Sequence, residues 1–116
     1  GTQSLRAAIY DSHGHCAGTG IEPIETKHPQ PAWAEQDANA WWSAARRAVP
    51  AALAHSNVSA DQIQAIGLDA TACTVVASTD DGEPLRPALL WMDQRSFREA
   101  EELSATGDPI LRYVSG

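Results

Sequence analysis

Alternating apolar and polar residues predict a hairpin at the start of the chain. Leu5 to Asp11 and Cys16 to Ile24 are strand-like runs, and the turn between them, DSHG, has Asp first and Gly last. Residues 28–37, HPQPAWAEQD, are rich in proline and show little periodicity. They indicate an ordered loop with at most one extended piece.

A long helix is predicted to begin near Asp37, a residue type favoured at helix N-caps. The apolar residues after it recur at helical spacing and predict one buried stripe: Trp41, Trp42, Ala45, Val49, Ala52 and Leu53. Pro50 lies inside this pattern. A proline costs about 3 kcal/mol in a helix interior unless the helix bends, so we expect a kink there.

The second half of the chain alternates strand-like and helical patterns. Ser59 is expected to cap a short helical turn. The mainly apolar run AIGLDA, residues 65–70, is typical of a strand buried on both faces. Residues 74–91, TVVASTDDGEPLRPALLW, predict a second hairpin around an Asp-Gly turn. Residues 93–105 have a helical pattern with Phe97, Ala100 and Leu103 on one side.

This order of elements predicts an α/β or α+β domain in which the central helix packs on a mixed sheet. The 116 residues, 43% hydrophobic and 20% charged, are ordinary for one globular domain. No apolar run approaches the roughly 18 residues of a membrane span, and we expect no membrane partner and no signal peptide. The formal net charge of −7 argues against a nucleic-acid partner. Two cysteines, Cys16 and Cys73, do not make a disulfide framework, which favours a reduced, cytoplasmic setting.

The first segment that could carry chemistry is GTQS, residues 1–4, together with Arg6. Backbone N–H groups of a glycine turn and the hydroxyls of Thr2 and Ser4 would form a small anion-binding concavity. Arg6 could neutralise a phosphate charge. The alternative is a plain hairpin turn, which these few residues taken alone favour.

The second segment is DATACT, residues 69–74, directly after the predicted buried strand. Ligands of open α/β sheets bind at the carboxyl ends of strands, where small and hydroxyl residues are useful. The alternative is that Ala and Cys fill a tight space while Thr71 bonds the backbone. These six residues alone favour neither interpretation.

The third segment is WMDQR, residues 91–95, which suits a polyol. The indole ring would cover the apolar face of the ligand, while carboxylate and amide would bond its hydroxyls. The alternative places Trp91 in the core, Asp93 at a helix N-cap and Arg95 on a solvated face. A metal site at His13 and the neighbouring His and Cys is not expected, because a turn intervenes and no fourth ligand is near.

Five segments, taken together, resemble the FGGY family of carbohydrate kinases in order and in spacing: GTQSLRAAIYD, PQPAWAEQDANAWW, SADQIQAIGLDATACTVV, DGEPLRPALLWMDQR and TGDPILRYVSG. The resemblance implies a partial ribonuclease-H-like (actin-like ATPase) fold of the α/β class. Residues 1–116 would be the N-terminal portion of the sugar-binding domain, without the nucleotide domain that follows it in the family. DATACT, WMDQR and LRYVSG are similar to the ribulokinase-like branch, which phosphorylates ketopentoses and related polyols.

The resemblance also implies roles for individual residues. Gly1, Thr2, Gln3, Ser4 and Arg6 match positions that hold the phosphates of ATP with Mg²⁺, and Ala72, Cys73, Trp91 and Asp93 match positions that face the sugar. In the family the aspartate that organises Mg²⁺ precedes the turn, and the catalytic base, also an aspartate, is expected beyond Gly116. We therefore expect no catalytic residue and no metal ligand in this segment, and no phosphotransferase activity from it alone.

The partners implied by the resemblance are a small sugar and ATP, and a homodimer for the full-length protein. The alternative is a non-catalytic sugar-binding or regulatory relic of the same fold. One departure from the family bears on the proline-rich loop, because Ala32 stands where the family usually has Gly in PxPGW.

Overall fold

The computed structural model describes residues 2–111. Its elements are β1 (Ser4–Tyr10), β2 (Cys16–Pro23), β3 (Glu35–Gln36), α1 (Ala38–Ser56), a 3-10 turn (Ala60–Gln62), β4 (Ala88–Leu89) and α2 (Phe97–Ala105). Within the described part, no helix is both long enough and apolar enough to cross a membrane.

Three predictions concern the ends of the chain and lie outside the described residues. Gly1 and residues 112–116 are not among those residues, so the phosphate contact of Gly1 and most of the segment LRYVSG stay predictions. Gly116 is the last residue of the sequence and also lies outside the described part. The catalytic aspartate expected beyond Gly116 therefore stays a prediction that this structure does not test.

Strands β1 and β2 form the predicted hairpin. They pair antiparallel, from Ser4 opposite Pro23 to Tyr10 opposite Cys16. In the turn, the Asp11 carboxylate accepts hydrogen bonds from the backbone N–H groups of His13 and His15 at 2.8 and 2.9 Å. The bond from the His15 backbone is the main reason why the pKa of Asp11 is lowered. An ionised Asp therefore closes the turn.

Helix α1 begins where the sequence predicts. The side chain of the N-cap Asp37 accepts a hydrogen bond from the N–H of Asn39 at 2.9 Å. The helix continues through Pro50 to Ser56 without a break, and the bend at Pro50 stays a prediction.

The buried face of α1 differs from the predicted stripe. Its buried residues are Ala44, Ala48 and Ala52, whereas Trp42 and Val49 are 70% and 49% exposed. The prediction is wrong at these two large residues, because only small side chains fit where the helix meets the hairpin.

The close approach of helix and hairpin is set by two glycines of β2. A Cβ atom added to Gly20 would lie 2.0 Å from the carbonyl oxygen of Ala48, and one added to Gly18 would lie 2.6 Å from that of Ala52. Backbone of β2 therefore packs directly on backbone of α1, and we call β1, β2 and α1 together the hairpin–helix unit.

A second, smaller sheet joins the proline-rich loop to the segment before Trp91. Glu35 of β3 pairs with Leu89 of β4, antiparallel. Isolated bridges from Lys27 to Glu35 and from Val75 to Leu89 widen it on both sides. We call residues 32–36 and 88–94 the β3–β4 junction. All strand pairs within residues 2–111 are antiparallel, so the expected mixed sheet is not present in this part of the chain.

The prediction of a buried strand at AIGLDA is wrong. Ile66 and Leu68 are 84% and 96% exposed, and the described residues include no strand at residues 65–70. A run buried on both faces needs a strand beside it and a layer on each face. The described part of the chain places neither there.

The other predictions for the second half are confirmed in part. Ser59 and Gln62 form a capping box around the 3-10 turn. The TDDG turn forms, with the Gly82 N–H donating to the Thr79 carbonyl at 2.9 Å, but its arms pair only through isolated bridges. Helix α2 begins at Phe97 rather than at residue 93, and Phe97 is 56% exposed.

Candidate functional site

Two of the predicted binding segments meet although they lie far apart along the chain. The indole Nε1–H of Trp91 donates a hydrogen bond to the hydroxyl oxygen of Thr2 at 3.1 Å, across 89 residues of sequence. Trp91 is 56% exposed, so its assignment to the core is wrong. The start of β1 and Trp91 of the β3–β4 junction thus form one surface.

An open hollow of about 420 Å³ lies beside this contact, lined by Thr71, Ala72, Cys73 and Trp91. Cys73 is a free, exposed thiol with a φ of +59°. Within the described residues Ala72 and Cys73 are exposed and do not fill a tight space, contrary to that part of the alternative for DATACT. The structure brings together three of the residues predicted to face a sugar.

The residues predicted to hold phosphate lie at the beginning of β1. Gln3 and Arg6 are exposed, and the Arg6 Nε–H donates to the Ser4 hydroxyl at 3.4 Å. The Gln3 carbonyl accepts the N–H of Ile24 at 2.9 Å, which ties this stretch to the end of β2. The exposed residues Gln3 and Arg6 therefore place an amide and a guanidinium at the surface next to Thr2.

Asp93 is held by protein donors. Its Oδ2 accepts hydrogen bonds from the Ala34 N–H at 2.7 Å and from Arg95 Nη2 at 2.6 Å. Its Oδ1 accepts bonds from the Arg95 N–H at 3.0 Å and from Arg95 Nε at 2.8 Å. The side chain is 4% exposed. The Arg95 side-chain bond holds the pKa of Asp93 well below its usual range.

This geometry occupies the lone-pair positions of the Asp93 carboxylate, of which a carboxylate has about four. Asp93 does not cap α2, whose N-cap residue is Ser96. Its predicted contact with a sugar stays a prediction. What the structure does show is an ionised carboxylate that fastens the loop at Ala34 to the segment after Trp91.

One alternative placed Arg95 on a solvated face, and this is wrong. Its side chain is 16% exposed, and its Nη2 donates to Glu35 Oε1 at 2.8 Å. The guanidinium carbon lies 3.8 Å from the centroid of the Trp33 ring. Arg86 reaches the same Glu35 oxygen at 3.2 Å. Ion pairing with Asp93, then with Glu35, raises the pKa of Arg95 above its ordinary value.

Glu35 and Gln36 belong to the site, although the sequence patterns did not single them out. Gln36 bonds the residues at the start of β1. It is 3% exposed, and its Nε2 donates to the Thr2 carbonyl at 2.6 Å and to the Thr26 hydroxyl at 2.9 Å. Its Oε1 accepts the indole N–H of Trp41 at 2.9 Å. No periodicity marks Glu35 and Gln36; the only signal was a pair of polar residues in a stretch where one extended piece was expected.

Metal binding is the remaining chemistry to consider for this region. Residues 2–111 contain no group of three His, Cys, Asp or Glu side chains arranged to hold a metal ion. The charged groups of the site are instead paired with one another, as Asp93 and Glu35 are with Arg95.

Comparison with known proteins gives one consistent family. The family model described as "FGGY family of carbohydrate kinases, N-terminal domain" matches residues 1–113. A glycerol kinase of Haloferax volcanii is 32% identical over 108 residues, which cover 92% of this chain and 21% of that protein. A D-ribulokinase of Saccharomyces cerevisiae is 30% identical, with 100% of this chain and 18% of that protein covered. The chain thus spans about a fifth of the curated relatives' length.

A solved structure agrees with these relatives. That of a xyloylose kinase from Brucella ovis superposes with a TM-score of 0.85 at 32% identity, covering 91% of this chain and 22% of that one. This likeness confirms the predicted fold class, a partial actin-like ATPase domain of the α/β type.

Proposed function

Because the chain belongs to the FGGY family of carbohydrate kinases, we propose that it supplies the phosphate loop and one wall of the sugar site of an ATP-dependent kinase. The observation that carries this proposal is the hydrogen bond between Trp91 and Thr2. It joins a group suited to a sugar face to the residues suited to phosphate. A kinase needs these two ligands side by side, since phosphoryl transfer depends mainly on positioning.

The phosphate side of the proposed site consists of Thr2, Gln3, Ser4 and Arg6. Arg6 is exposed and supplies a positive charge, and the amide of the exposed Gln3 can donate to phosphate oxygens. Residues 2–111 contain no group of three His, Cys, Asp or Glu side chains arranged to hold a metal ion, but Mg²⁺ beside phosphates is commonly held by one or two carboxylates together with phosphate oxygens. We propose no Mg²⁺ ligand among these residues and assign no step to the metal.

The sugar side consists of the Trp91 ring and the small residues Ala72 and Cys73 around the hollow of about 420 Å³. An exposed ring beside an open hollow suits the apolar face of a carbon chain that carries hydroxyls. Relatives include a glycerol kinase and a D-ribulokinase. Within that range we propose a ketopentose of the ribulose type, because two small side chains leave room for more than a three-carbon polyol.

The test is an assay of ATP-dependent phosphorylation by the complete product of the gene, with D-ribulose, L-ribulose, D-xylulose and glycerol as substrates. We expect the highest kcat/KM with one of the two ribuloses. Highest kcat/KM with glycerol would overturn the ketopentose specificity, and no product from any of the four would overturn the kinase function. The 116-residue chain alone is expected to give no turnover, since the catalytic base is expected beyond Gly116.

A matched pair of tryptophan variants tests the proposed sugar face. Trp91→Ala removes the ring beside the hollow and should raise the sugar KM by about tenfold, the equivalent of one good apolar contact. Trp42→Ala removes a ring that is 70% exposed on α1 and should leave the KM unchanged. Equal effects of the two substitutions would contradict the assignment of Trp91.

A further inference from the structure

We propose that the two residues of β3 position the two halves of the site. Gln36 holds the phosphate loop, residues 2–6, and Glu35 holds the sugar-facing segment, residues 91–95. This inference rests on the proposed function. Neither residue touches a proposed ligand position directly, so both would be positioning residues. Each acts through a named partner, Thr2 in one case and Arg95 in the other.

The orientation of the Gln36 side chain follows from its partners. The indole N–H of Trp41 can only donate, so the amide oxygen of Gln36 must face it at 2.9 Å. The amide nitrogen then faces the Thr2 carbonyl, which can only accept, at 2.6 Å. Because Thr26 takes the second amide hydrogen, all the bonds fit one orientation alone. A buried, fully bonded amide thus fixes the backbone of the phosphate loop.

Glu35 acts on the other half through a chain of charged contacts. Its Oε1 accepts a hydrogen bond from Arg95 at 2.8 Å, and Arg95 in turn binds both oxygens of Asp93. Asp93 follows Trp91 by two residues and also accepts the N–H of Ala34. Arg95 therefore cannot rotate without breaking contacts to β3, and the backbone just after Trp91 is held with it.

Burial shows that β3 is a rigid base for both contacts. Successive side chains of a strand point to opposite faces. Yet Glu35 and Gln36 are 8% and 3% exposed, so protein covers both faces of this strand. Polar side chains buried on the two faces, each bonded to a different half of the site, are what a shared support requires. A role in stability alone would affect both halves together.

The experiment compares two nearly isosteric variants in the complete gene product. Gln36→Glu keeps the oxygen that accepts from Trp41 and replaces the donor facing Thr2 by an oxygen. It should raise the KM for ATP by about tenfold, which corresponds to the loss of one hydrogen bond. The KM for the sugar should rise by less than about twofold, because Trp91 bonds the Thr2 hydroxyl and not the Thr2 carbonyl that Gln36 holds. Glu35→Gln weakens the hold on Arg95 and should show the reverse split.

The matched control is Glu22→Gln. Glu22 lies opposite Leu5 in the hairpin and directs its carboxylate to Arg47 of α1 at 2.7 Å, so both KM values should stay as in the wild type. If the first variants do not fold, Gln36→Met and Arg95→Lys test the same two contacts, the first without a new charge and the second with the charge kept.

The outcomes separate the inference from the function beneath it. An active wild type with the crossed KM split supports the inference. If the wild type is active and each variant changes both KM values equally, the inference is overturned and the kinase function stands. The same holds if the variants change neither KM value and only reduce the amount of folded protein. A wild type that phosphorylates none of the sugars overturns the proposed function and the inference with it.

Discussion

The hairpin–helix unit and the stretch from residue 63 to residue 87, which we call the open arm, differ in how far their apolar side chains are buried. In the hairpin–helix unit, Ala44, Ala48 and Ala52 are at most 1% exposed. In the open arm, Ile66 and Leu68, which are far more apolar, are 84% and 96% exposed. Hydrophobicity alone therefore does not decide burial.

What decides burial here is whether a complementary surface is present. The glycines of β2 allow α1 to approach until backbone contacts backbone, so that even alanine is covered completely. Within the described residues, the open arm joins the second sheet through the bridge from Val75 to Leu89, and no layer covers Ile66 or Leu68. The candidate site lies between the two regions: Thr2 precedes β1, whereas Cys73 belongs to the open arm and Trp91 lies in the β3–β4 junction.

The largest expected effect comes from adding a methyl group to a glycine of the hairpin–helix unit, compared with the same change in the open arm. Gly20→Ala would place Cβ 2.0 Å from the Ala48 carbonyl oxygen and should lower the free energy of unfolding by about 3 kcal/mol, since backbone must move apart. Gly67→Ala in the open arm meets no atom within 4 Å and should change it by less than about 0.5 kcal/mol. Urea denaturation of the two variants measures both, and equal losses would contradict the difference between the regions.

A smaller effect is expected at the β3–β4 junction. Asp93→Asn removes a buried charge bonded to Arg95 and should cost about 2 kcal/mol at pH 7. Because the pKa of Asp93 is lower in the folded chain than in the unfolded one, its contribution is full above the unfolded value and fades as the pH falls below about 4.

The measurement is the free energy of unfolding of wild type and variant from pH 7 down to pH 3. The difference between them should narrow toward the acid end. Asp80→Asn, an exposed carboxylate of the TDDG turn, is the control and should show no such difference. A gap between wild type and Asp93→Asn that stays constant over this range would show that the Asp93 charge does not stabilise the junction.

The smallest effect is expected at Ala32, which has a φ of +64°. Ala32 thus adopts the left-handed backbone conformation that suits Gly. Ala32→Gly should therefore stabilise the chain by about 0.5–1 kcal/mol. Gly82→Ala, at a φ of +85° in the open arm, should act in the opposite direction. Thermal unfolding of the pair would refute this account if both substitutions shifted Tm the same way.

Local signals were the part of the fold that the sequence predicted well. Asp37 at the N-cap and Asp11 in the first turn act on backbone N–H groups within four residues, so their neighbours in sequence suffice. The alanine face of α1 could also have been predicted, because Gly18 and Gly20 in one strand indicate that a helix packs closely on it through small side chains. The predicted stripe was wrong at Trp42 and Val49, which lie on the exposed side of the helix.

Long-range contacts were the part that could not be predicted. Glu35 and Arg95 are 60 residues apart, and nothing in either segment states that the guanidinium will reach that carboxylate. Gln36 holds Thr2 across 34 residues in the same way. AIGLDA has the composition of a buried strand, but burial depends on neighbours that its own residues do not specify.

Amide hydrogen exchange of the chain tests the account most directly, because the account claims that β3 holds the site together beside an open arm. We predict slow exchange for the N–H groups of Ala34, Leu90 and Gln94, which bond to the Asp93 carboxylate or to loop carbonyls across the junction. Residues 65–70 should exchange at the rate of an unfolded peptide. Fast exchange at the three junction amides, or protection of residues 65–70 equal to theirs, would contradict the account.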